Sequence, residues 1–445
     1  MLRALLSRLN PFRGLSNPRE VWAWGMYDLA NQSFTLIIIT LLFPVYFREV
    51  ISPDPRRAEA LWSVLGSGSL LLVVAVSPFL GAIADGRGWK KRLLILTGVL
   101  AAALTAGLAA TGPGTVLLAA ALFFCANVLY QLGENFLASF LPEVATPRNI
   151  GRVSATGWAM GYAGALVLLV ISAGAIALFG LDKTRWSALF LFAGVWFALG
   201  MVPAILILRE RPPPADPGPL SDLLGLALRR IRATLTDARL FSQLARFLTA
   251  FFVYGFGVQT IIYFAGIIAN DFGFTEVKLV LFALQLTVTA GIASVVTAMI
   301  QDRVGARTMV LISLGVWIAT AAGMLALTAA PDPPEWLFWL VGNGVGFGLG
   351  GIGTSSRSLV GRFTPVQKSA EFFGLWGMTY KLAGVVGVLT FGQMKAWLGD
   401  VPAMVALTAF FVVGLVLTLR VDETAGVRAA RRAERDAARR RGRPE

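Results

Sequence analysis

Five ionisable side chains lie inside long apolar stretches of this sequence: Asp28, Glu134, Arg246, Arg357 and Lys381. A charged group inside a bilayer costs several kcal/mol on most scales, so such residues usually line a polar cavity or pair with one another. Their chemistry is proton exchange, ion pairing and the binding of a charged solute. Arg246 and Arg357 also have a simpler explanation, because each lies close enough to the end of its stretch for the guanidinium to reach the interface.

Uncharged polar side chains extend this group. Asn31 lies three residues after Asp28, and the two share one face of a helix. A second polar stripe has helical spacing and consists of Asn127, Gln131, Glu134 and the adjacent Asn135. The full set predicted to line a cavity is Asp28, Asn31, Asn127, Gln131, Glu134, Asn135, Gln259, Asn343 and Lys381. Because poorly hydrated carboxyl groups can exchange protons near neutral pH, Asp28 and Glu134 are the predicted proton carriers.

The composition indicates a membrane protein and argues against an enzyme. Apolar residues make up 56% of the 445 positions and charged residues 14%, which leaves too little polar surface for a soluble protein of this length. There is no histidine and one cysteine, and no nucleophile or phosphate-binding motif stands out. We therefore expect no catalytic residues, no metal site and no cofactor. The net charge of +14 is explained by topology, so no nucleic-acid partner is expected.

Apolar runs of about 20 residues are long enough to cross a bilayer as helices. Twelve are predicted, at 20–47, 59–83, 92–111, 115–140, 152–179, 186–208, 241–269, 277–300, 307–329, 335–359, 371–394 and 401–420. Most arginines and lysines fall on one side if both termini are cytoplasmic, as the positive-inside rule requires. We expect a multi-pass protein of the cell (inner) membrane, monomeric in the lipid bilayer.

The chain divides at its longest polar loop. We expect a cytoplasmic N-terminal segment (1–19), a first six-helix half (20–208), a linker (209–240), a second half (241–420) and a basic cytoplasmic tail (421–445). Prolines exclude a helix early in the linker, and Leu220–Asp237 is predicted to be an amphipathic helix. The tail is expected to be solvated and partly disordered, with contact to anionic lipid as the alternative.

The two halves repeat each other. Asp85, Gly88 and Lys90 in the loop after span 2 recur as Asp302, Gly305 and Arg307 after span 8, an offset of 217 residues. Thr-Pro at 146 recurs at 364, and Trp-x-Met-x-Tyr at 158 recurs at 376, each offset by 218. Such agreement indicates a duplicated six-helix unit. In each loop the glycine suits a tight turn, and the charged pair can act as a cytoplasmic gate. A plain topological turn is the alternative.

The loop at Gly81–Arg92 resembles the signature of the major facilitator superfamily. Within it, three stretches are similar to the vacuolar-effluxer-like (autophagy-related) family: Trp24–Ser33 with Phe43–Phe47, Phe140–Glu143 with Gly151–Tyr162, and Glu371–Trp376. One stretch departs from that family, because Tyr254–Gly257 reads Tyr-Gly-Phe-Gly where Tyr-Asn-Asp-Gly is expected.

This resemblance implies the major facilitator fold: an all-α membrane protein with twelve transmembrane helices in two pseudo-symmetric six-helix bundles. Helices 1, 4, 7 and 10 then line the cavity, and Arg246 and Arg357 become candidates for ion pairs with acids of the other half. The implied function is secondary transport of a small molecule by alternating access, with a proton as coupling ion and amino-acid efflux as the substrate guess. A multidrug exporter is the alternative, and a non-transporting membrane sensor or lipid scramblase is the alternative of another class.

Overall fold

The computed structural model describes residues 17–146, 149–210, 241–365 and 368–441, together with positions 12, 15, 225 and 236. Within these ranges all regular structure is helical, and twelve helices are long and apolar enough to cross a membrane. The spans are Pro18–Ile51, Pro55–Arg87, Lys90–Ala110, Val116–Val144, Arg152–Phe179, Lys183–Ile207, Ser242–Asp271, Glu276–Val304, Ala306–Ala329, Glu335–Phe363, Glu371–Leu398 and Asp400–Leu419. The predicted fold class and all twelve spans are confirmed, with ends a few residues from those expected.

Several spans are not uniform α-helices. Span 1 is α-helical at Pro18–Ser33 and Leu42–Tyr46, and π-helical at Phe34–Leu41 and Phe47–Ile51. Wider π turns occur often at functional sites. The first of them begins just after the polar residues at 28–33, so the predicted site lies beside an irregularity of the helix.

Short 3₁₀ or turn residues interrupt three other spans. Span 3 is Lys90–Gly107 followed by a 3₁₀ turn at Leu108–Ala110, and span 4 is Val116–Ser139 followed by Leu141–Val144. Span 6 consists of Lys183–Arg185, Ser187–Gly200 and Val202–Ile207. Spans 5 and 11 extend slightly beyond their apolar cores, as Ile150–Phe179 and Ser369–Leu398.

The chain forms two compact units whose bounds differ from those of the sequence halves. The first unit contains Met1–Ala58, Ala75–Ala227 and Gly266–Ala283, and the second contains Glu59–Val74, Leu228–Ala265 and Leu284–Glu445. Each unit therefore includes a short segment from the other half of the sequence. Residues 59–74 of span 2 belong to the second unit, and residues 266–283, from the end of span 7 and the start of span 8, belong to the first.

The same packing pattern recurs in the two units. In the first, span 3 packs against spans 4 and 6, and span 1 packs against spans 5 and 6. In the second, span 9 packs against spans 10 and 12, which are the equivalents of spans 4 and 6. This correspondence fits the predicted duplication of a six-helix unit.

Close packing at the glycine-rich face of span 10 accords with the sequence pattern. A β-carbon at Gly350 would lie 2.1 Å from the Ala290 carbonyl oxygen, and one at Gly346 would lie 2.9 Å from the Leu286 carbonyl oxygen. The backbones of spans 8 and 10 therefore touch at positions where only glycine fits. A β-carbon at Gly353, three residues after Gly350, would have no neighbouring atom within 4 Å.

The structure describes most of the basic tail but little of the polar linker. The predicted amphipathic helix of the linker lies outside the described residues, apart from positions 225 and 236. The basic tail is helical from Glu423 to Arg441, so the expectation of a partly disordered tail is wrong there. We call this element the C-terminal helix. It packs against span 10, and this contact supplies the burial that the tail sequence alone does not suggest.

Candidate functional site

The first unit brings together the acids predicted in spans 1 and 4. The Asn31 side-chain amide donates a hydrogen bond to the Glu134 carboxylate, and Asn31 is fully buried. Gln32 lies next to this pair, with its amide nitrogen 3.4 Å from Asn31 Oδ1. Asp28, three residues before Asn31, faces span 5, because a β-carbon at Gly161 would lie 3.1 Å from Asp28 Oδ2. Spans 1 and 4 therefore bring Asn31 and Glu134 into contact, with Asp28 one helical turn away from Asn31.

Tyr27 packs beside this site and was not anticipated from the sequence. Its hydroxyl lies 3.5 Å from the Leu94 carbonyl oxygen, at positions where span 3 has Gly98 and span 4 has Gly133. β-Carbons at these glycines would lie 2.6 and 3.0 Å from the hydroxyl. The ring therefore packs against both span 3 and span 4. This contact fixes the orientation of span 1 and so of Asp28 and Asn31. The sequence does not reveal this packing of Tyr27, because glycines such as Gly98 and Gly133 are common in membrane spans.

The other polar residues of the span 4 stripe, Asn127, Gln131 and Asn135, differ in their burial and in their contacts. Asn127 is fully buried and Gln131 is half-buried. Asn135 donates a hydrogen bond of 2.8 Å to Ser77 Oγ in span 2, so its amide ties two helices together. A further bridge joins spans 1 and 4 one turn away, where Thr35 Oγ1 and the Tyr130 hydroxyl are 2.8 Å apart.

The predicted residues of the second half lie in the second unit. Gln259 is buried and donates to the Tyr380 carbonyl oxygen at 3.3 Å. Asn343 donates to Trp339 in its own helix at 3.2 Å. Arg246 is exposed, whereas Arg357 and Lys381 are half-buried. Because Asp28 and Glu134 belong to the first unit, the predicted ion pairs between the halves stay a prediction.

Aromatic rings are the main feature near Gln259. The Phe251 ring stacks on Trp376 and Tyr380 with ring centroids 5.5 and 5.8 Å away. The Tyr254 hydroxyl lies 2.8 Å from Ser356 Oγ and joins spans 7 and 10. The stretch Tyr254–Gly257, which departs from the family pattern, therefore takes part in an apolar, aromatic packing region.

The predicted gate loops make ion pairs within each unit. In the first, Lys90 Nζ lies 3.0 Å from Asp85 and 2.9 Å from Glu143, at the end of span 4. Gly88 ends span 2 in the left-handed conformation, with φ of 63°, as the tight turn requires. A carboxylate from beyond span 6 completes the loop, since Glu210 accepts hydrogen bonds from the backbone N–H groups of Lys90 and Lys91.

The second unit repeats this arrangement with one change. Glu423, just after span 12, accepts hydrogen bonds from the backbone N–H groups of Ala306 and Arg307 at 3.2 and 2.9 Å. Asp302 pairs with Arg362 of span 10 at 3.0 Å, and Arg362 also reaches Glu423 at 2.7 Å. Gly305 has φ of 93°. The sequence offered one signal for Glu210 and Glu423, because each closely follows the last span of its half.

An ion cluster that the sequence did not reveal joins spans 1 and 7 in the first unit. The Arg48 side chain is buried and contacts Asp271 at 2.5 Å and Asn270 Oδ1 at 2.8 Å. Glu49 lies 2.9 Å from the same guanidinium. Nearby, a β-carbon at Gly266 would lie 2.2 Å from the Leu41 carbonyl oxygen. The C-terminal ends of spans 1 and 7 are therefore both tightly packed and ion-paired.

A matching cluster joins spans 2 and 11 in the second unit. Lys395 Nζ lies 3.5 Å from Glu59 and also contacts Asp400, and the Lys395 and Glu59 side chains are only 4% and 8% exposed. One turn away, Gln393 donates to the Ala60 carbonyl oxygen and to Ser63 Oγ, both at 3.0 Å. Neither cluster lies in a repeated motif like that of the gate loops. The residues of each cluster are also far apart along the chain, so the sequence does not reveal their contact.

Comparison with known proteins defines the class. The fold matches the solved structure of a D-xylose–proton symporter with a TM-score of 0.68 and 14% identity, covering 92% of this chain and 98% of that one. It matches the peptide transporter POT with a TM-score of 0.66 and 16% identity, covering 92% and 94%. These likenesses show that the chain has the helical fold of these solved transporters.

Sequence relatives define the family. Residues 57–431 match the family described as "Vacuole effluxer Atg22 like", and the chain belongs to that family. An uncharacterised MFS-type transporter, YxiO, of Bacillus subtilis is 25% identical over 416 residues, covering 90% of this chain and 94% of that protein. Autophagy-related protein 22 of Yarrowia lipolytica is 25% identical over 300 residues, and the match spans 61% of this chain and half of that protein. The chain is thus a multi-pass membrane transporter of the major facilitator type.

Proposed function

We propose that this protein is a proton-coupled exporter of a small solute, an amino acid or a related metabolite, in the cell membrane with both termini cytoplasmic. The observation that carries the proposal is the contact between Asn31 and Glu134 with Asp28 on the adjacent helical turn. Two carboxyl groups and two amides inside the spans suit the exchange of a proton together with recognition of a polar solute.

The polar site provides a coupling mechanism. Protonation of Asp28 or Glu134 removes a negative charge from a region of low dielectric, which changes the affinity for a charged substrate nearby. Asn31 accompanies Glu134 in either protonation state, because an amide can donate or accept a hydrogen bond. The site then cycles between a protonated and a substrate-bound form, and each form favours a different conformation.

The ion clusters at Arg48 and Lys395 supply the second part of alternating access. Each joins a span of the first sequence half to one of the second, at the ends that the proposed topology places outside the cell. Such pairs stabilise one conformation and must break for the path to open on that side. Pairs between the halves involving Arg246 and Arg357 serve the opposite conformation in this scheme.

The family supports the proposals of export and of substrate class. Its description names a vacuole effluxer, and export from the cytoplasm, like efflux from a vacuole, moves a solute out of a compartment across its bounding membrane. The polar character of Asp28, Asn31, Gln131 and Glu134 fits an amino acid better than a lipophilic compound.

The test is transport by the purified, full-length protein in liposomes. A panel of labelled amino acids is offered with an imposed pH gradient of either direction and with none, and empty liposomes serve as the control. We expect at least one amino acid to accumulate above the control, in a manner that depends on the gradient. The absence of gradient-dependent movement of every amino acid would contradict the proposal.

A multidrug exporter is the second candidate. The stacked rings of Phe251, Trp376 and Tyr380 would suit an aromatic or cationic compound. The same liposomes with lipophilic cations distinguish the two, since a drug exporter would move these compounds and leave amino acids behind.

A further inference from the structure

The C-terminal helix, Glu423–Arg441, is not used by the transport scheme, yet it is firmly attached. It begins four residues after the end of span 12 at Leu419. Glu423, its first residue, binds the backbone N–H groups at the start of span 9 and pairs with Arg362. The helix is therefore held at the level where the spans leave the membrane.

One face of this helix packs on the protein. A β-carbon at Gly426 would lie 2.3 Å from the Phe363 ring at the end of span 10, and Ala430 is 4% exposed. Small residues at these two positions, one turn apart, allow the close approach. The orientation of the helix about its own axis is thereby fixed.

The opposite face is basic. Its four exposed arginines are Arg428, Arg431, Arg432 and Arg435. At 3.6 residues per turn they fall within an arc of about 100°, centred on the side away from Gly426 and Ala430. Among the described side chains of this helix, the exposed acid is Asp436. A mainly basic surface thus faces away from the protein.

A shallow cavity lies where this helix begins. Its volume is about 440 Å³, and its polar lining consists of Arg307, Thr308, Arg420, Asp422, Glu423 and Thr424. The Arg307 guanidinium is oriented by a hydrogen bond of 2.8 Å to the Leu419 carbonyl oxygen. The two carboxylates have partners within the protein, since Glu423 binds the start of span 9 and Arg362, and Asp422 accepts from the Ala425 N–H. The guanidinium groups of Arg307 and Arg420 are therefore the part of this lining that suits a phosphodiester group, which guanidinium groups bind through paired hydrogen bonds.

We propose that the basic face of the C-terminal helix and this cavity form a docking site for anionic phospholipid headgroups. Charge complementarity identifies the occupant, because a fixed cluster of arginines next to the membrane surface attracts acidic lipids and not zwitterionic ones. The assignment to the cytoplasmic leaflet rests on the proposed topology, whereas the binding itself does not depend on transport.

The test is lipid binding by the purified full-length protein in detergent. Short-chain phosphatidylglycerol is titrated against phosphatidylcholine of the same chain length, and thermal unfolding is followed by tryptophan fluorescence. We expect phosphatidylglycerol to raise the unfolding temperature at lower concentration than phosphatidylcholine, with an effect that weakens as salt is added. Each arginine contributes about fivefold to affinity at a surface of this kind.

Three variants decide the proposal. Replacing the four arginines with glutamine should raise the midpoint concentration of phosphatidylglycerol at least about tenfold, and replacing them with lysine should leave it nearly unchanged. The charge-matched control carries four glutamines at other exposed arginines, which are Arg19, Arg87, Arg92 and Arg303. Wild-type binding by the first variant, or equal loss in the control, would overturn the proposal. Because transport is not measured, the outcome is independent of the proposed function.

Discussion

Asp28 in span 1 and Arg246 in span 7 are 218 residues apart, the same offset as the repeated Trp-x-Met-x-Tyr motif. The duplicated positions thus have opposite charges. Asp28 lies against Gly161 beside the Asn31–Glu134 pair, whereas Arg246 is exposed. The buried groups of span 7 include Gln259 and several aromatic rings.

The loops after spans 2 and 8, by contrast, make the same kinds of contact in both halves. Glu210 and Glu423 each accept two backbone N–H groups at the start of a span, in span 3 and span 9 respectively. Both loops also turn at a glycine with positive φ. Capping of a helix start is needed by any six-helix unit, so it is retained in both halves. Charge within a span is needed only where chemistry occurs, and it has diverged.

The largest effect is expected from the acid of span 1. Asp28→Asn should reduce gradient-driven transport to the level of empty liposomes, because an amide cannot carry a proton. Exchange of labelled for unlabelled substrate without a gradient should persist, since the cavity keeps its shape. Both rates are measured in the same liposomes.

The matched control is the duplicated position in span 7. Arg246→Gln should lower the rate of transport, because Arg246 is proposed to pair in the opposite conformation. It should keep the dependence of that rate on the pH gradient, because an arginine does not exchange protons in this range. Equal loss of the gradient response in the two variants would show that the halves do not differ as proposed. A normal gradient response in Asp28→Asn would leave Glu134 as the carrier.

The next largest effect is expected at the ion cluster that joins spans 2 and 11. Lys395→Met should lower the free energy of unfolding by about 3–5 kcal/mol, because Glu59 is left buried without its partner. Chemical unfolding in detergent measures the loss, and a second substitution, Glu59→Met, should recover most of it. Lys183→Met is the control, as Lys183 lies 3.8 Å from the partly exposed Glu49 and should cost less than about 1 kcal/mol.

A result with no loss in Lys395→Met would show that the ion cluster of spans 2 and 11 does not stabilise this conformation. The corresponding cluster at Arg48 would then be tested in the same way. A loss that Glu59→Met does not recover would point to Asp400 as the main partner.

The smallest effect tests the retained scaffold. Glu210→Gln and Glu423→Gln should each lower the free energy of unfolding by about 1–2 kcal/mol, since each weakens charged hydrogen bonds to a helix start. The loss should be larger for Glu423, which also pairs with Arg362. Thermal unfolding of the two variants side by side provides the measurement. Destabilisation by only one of them would mean that the two loops are not equivalent.

Much of this protein was predictable from local pattern. Long apolar runs predicted all twelve spans, because a helix crossing hydrocarbon must be apolar along its whole length. Motif spacing predicted the glycine turns at Gly88 and Gly305, and helical periodicity placed Asn31 and Glu134 on site-facing stripes. The tail was misjudged, because its helix is stabilised by the contact of Gly426 with Phe363, which composition does not encode.

The sequence by itself determined the class of the protein, the number of spans and which spans carry acids, since these depend on hydrophobicity and on position along the chain. Only the tertiary structure decided the partners: Glu134 with Asn31, Glu210 and Glu423 with helix starts, Arg48 with Asp271, and Lys395 with Glu59. These pairs join residues from 103 to 336 positions apart along the chain. An ion pair or hydrogen bond depends on distance in space, and folding alone brings such distant residues together.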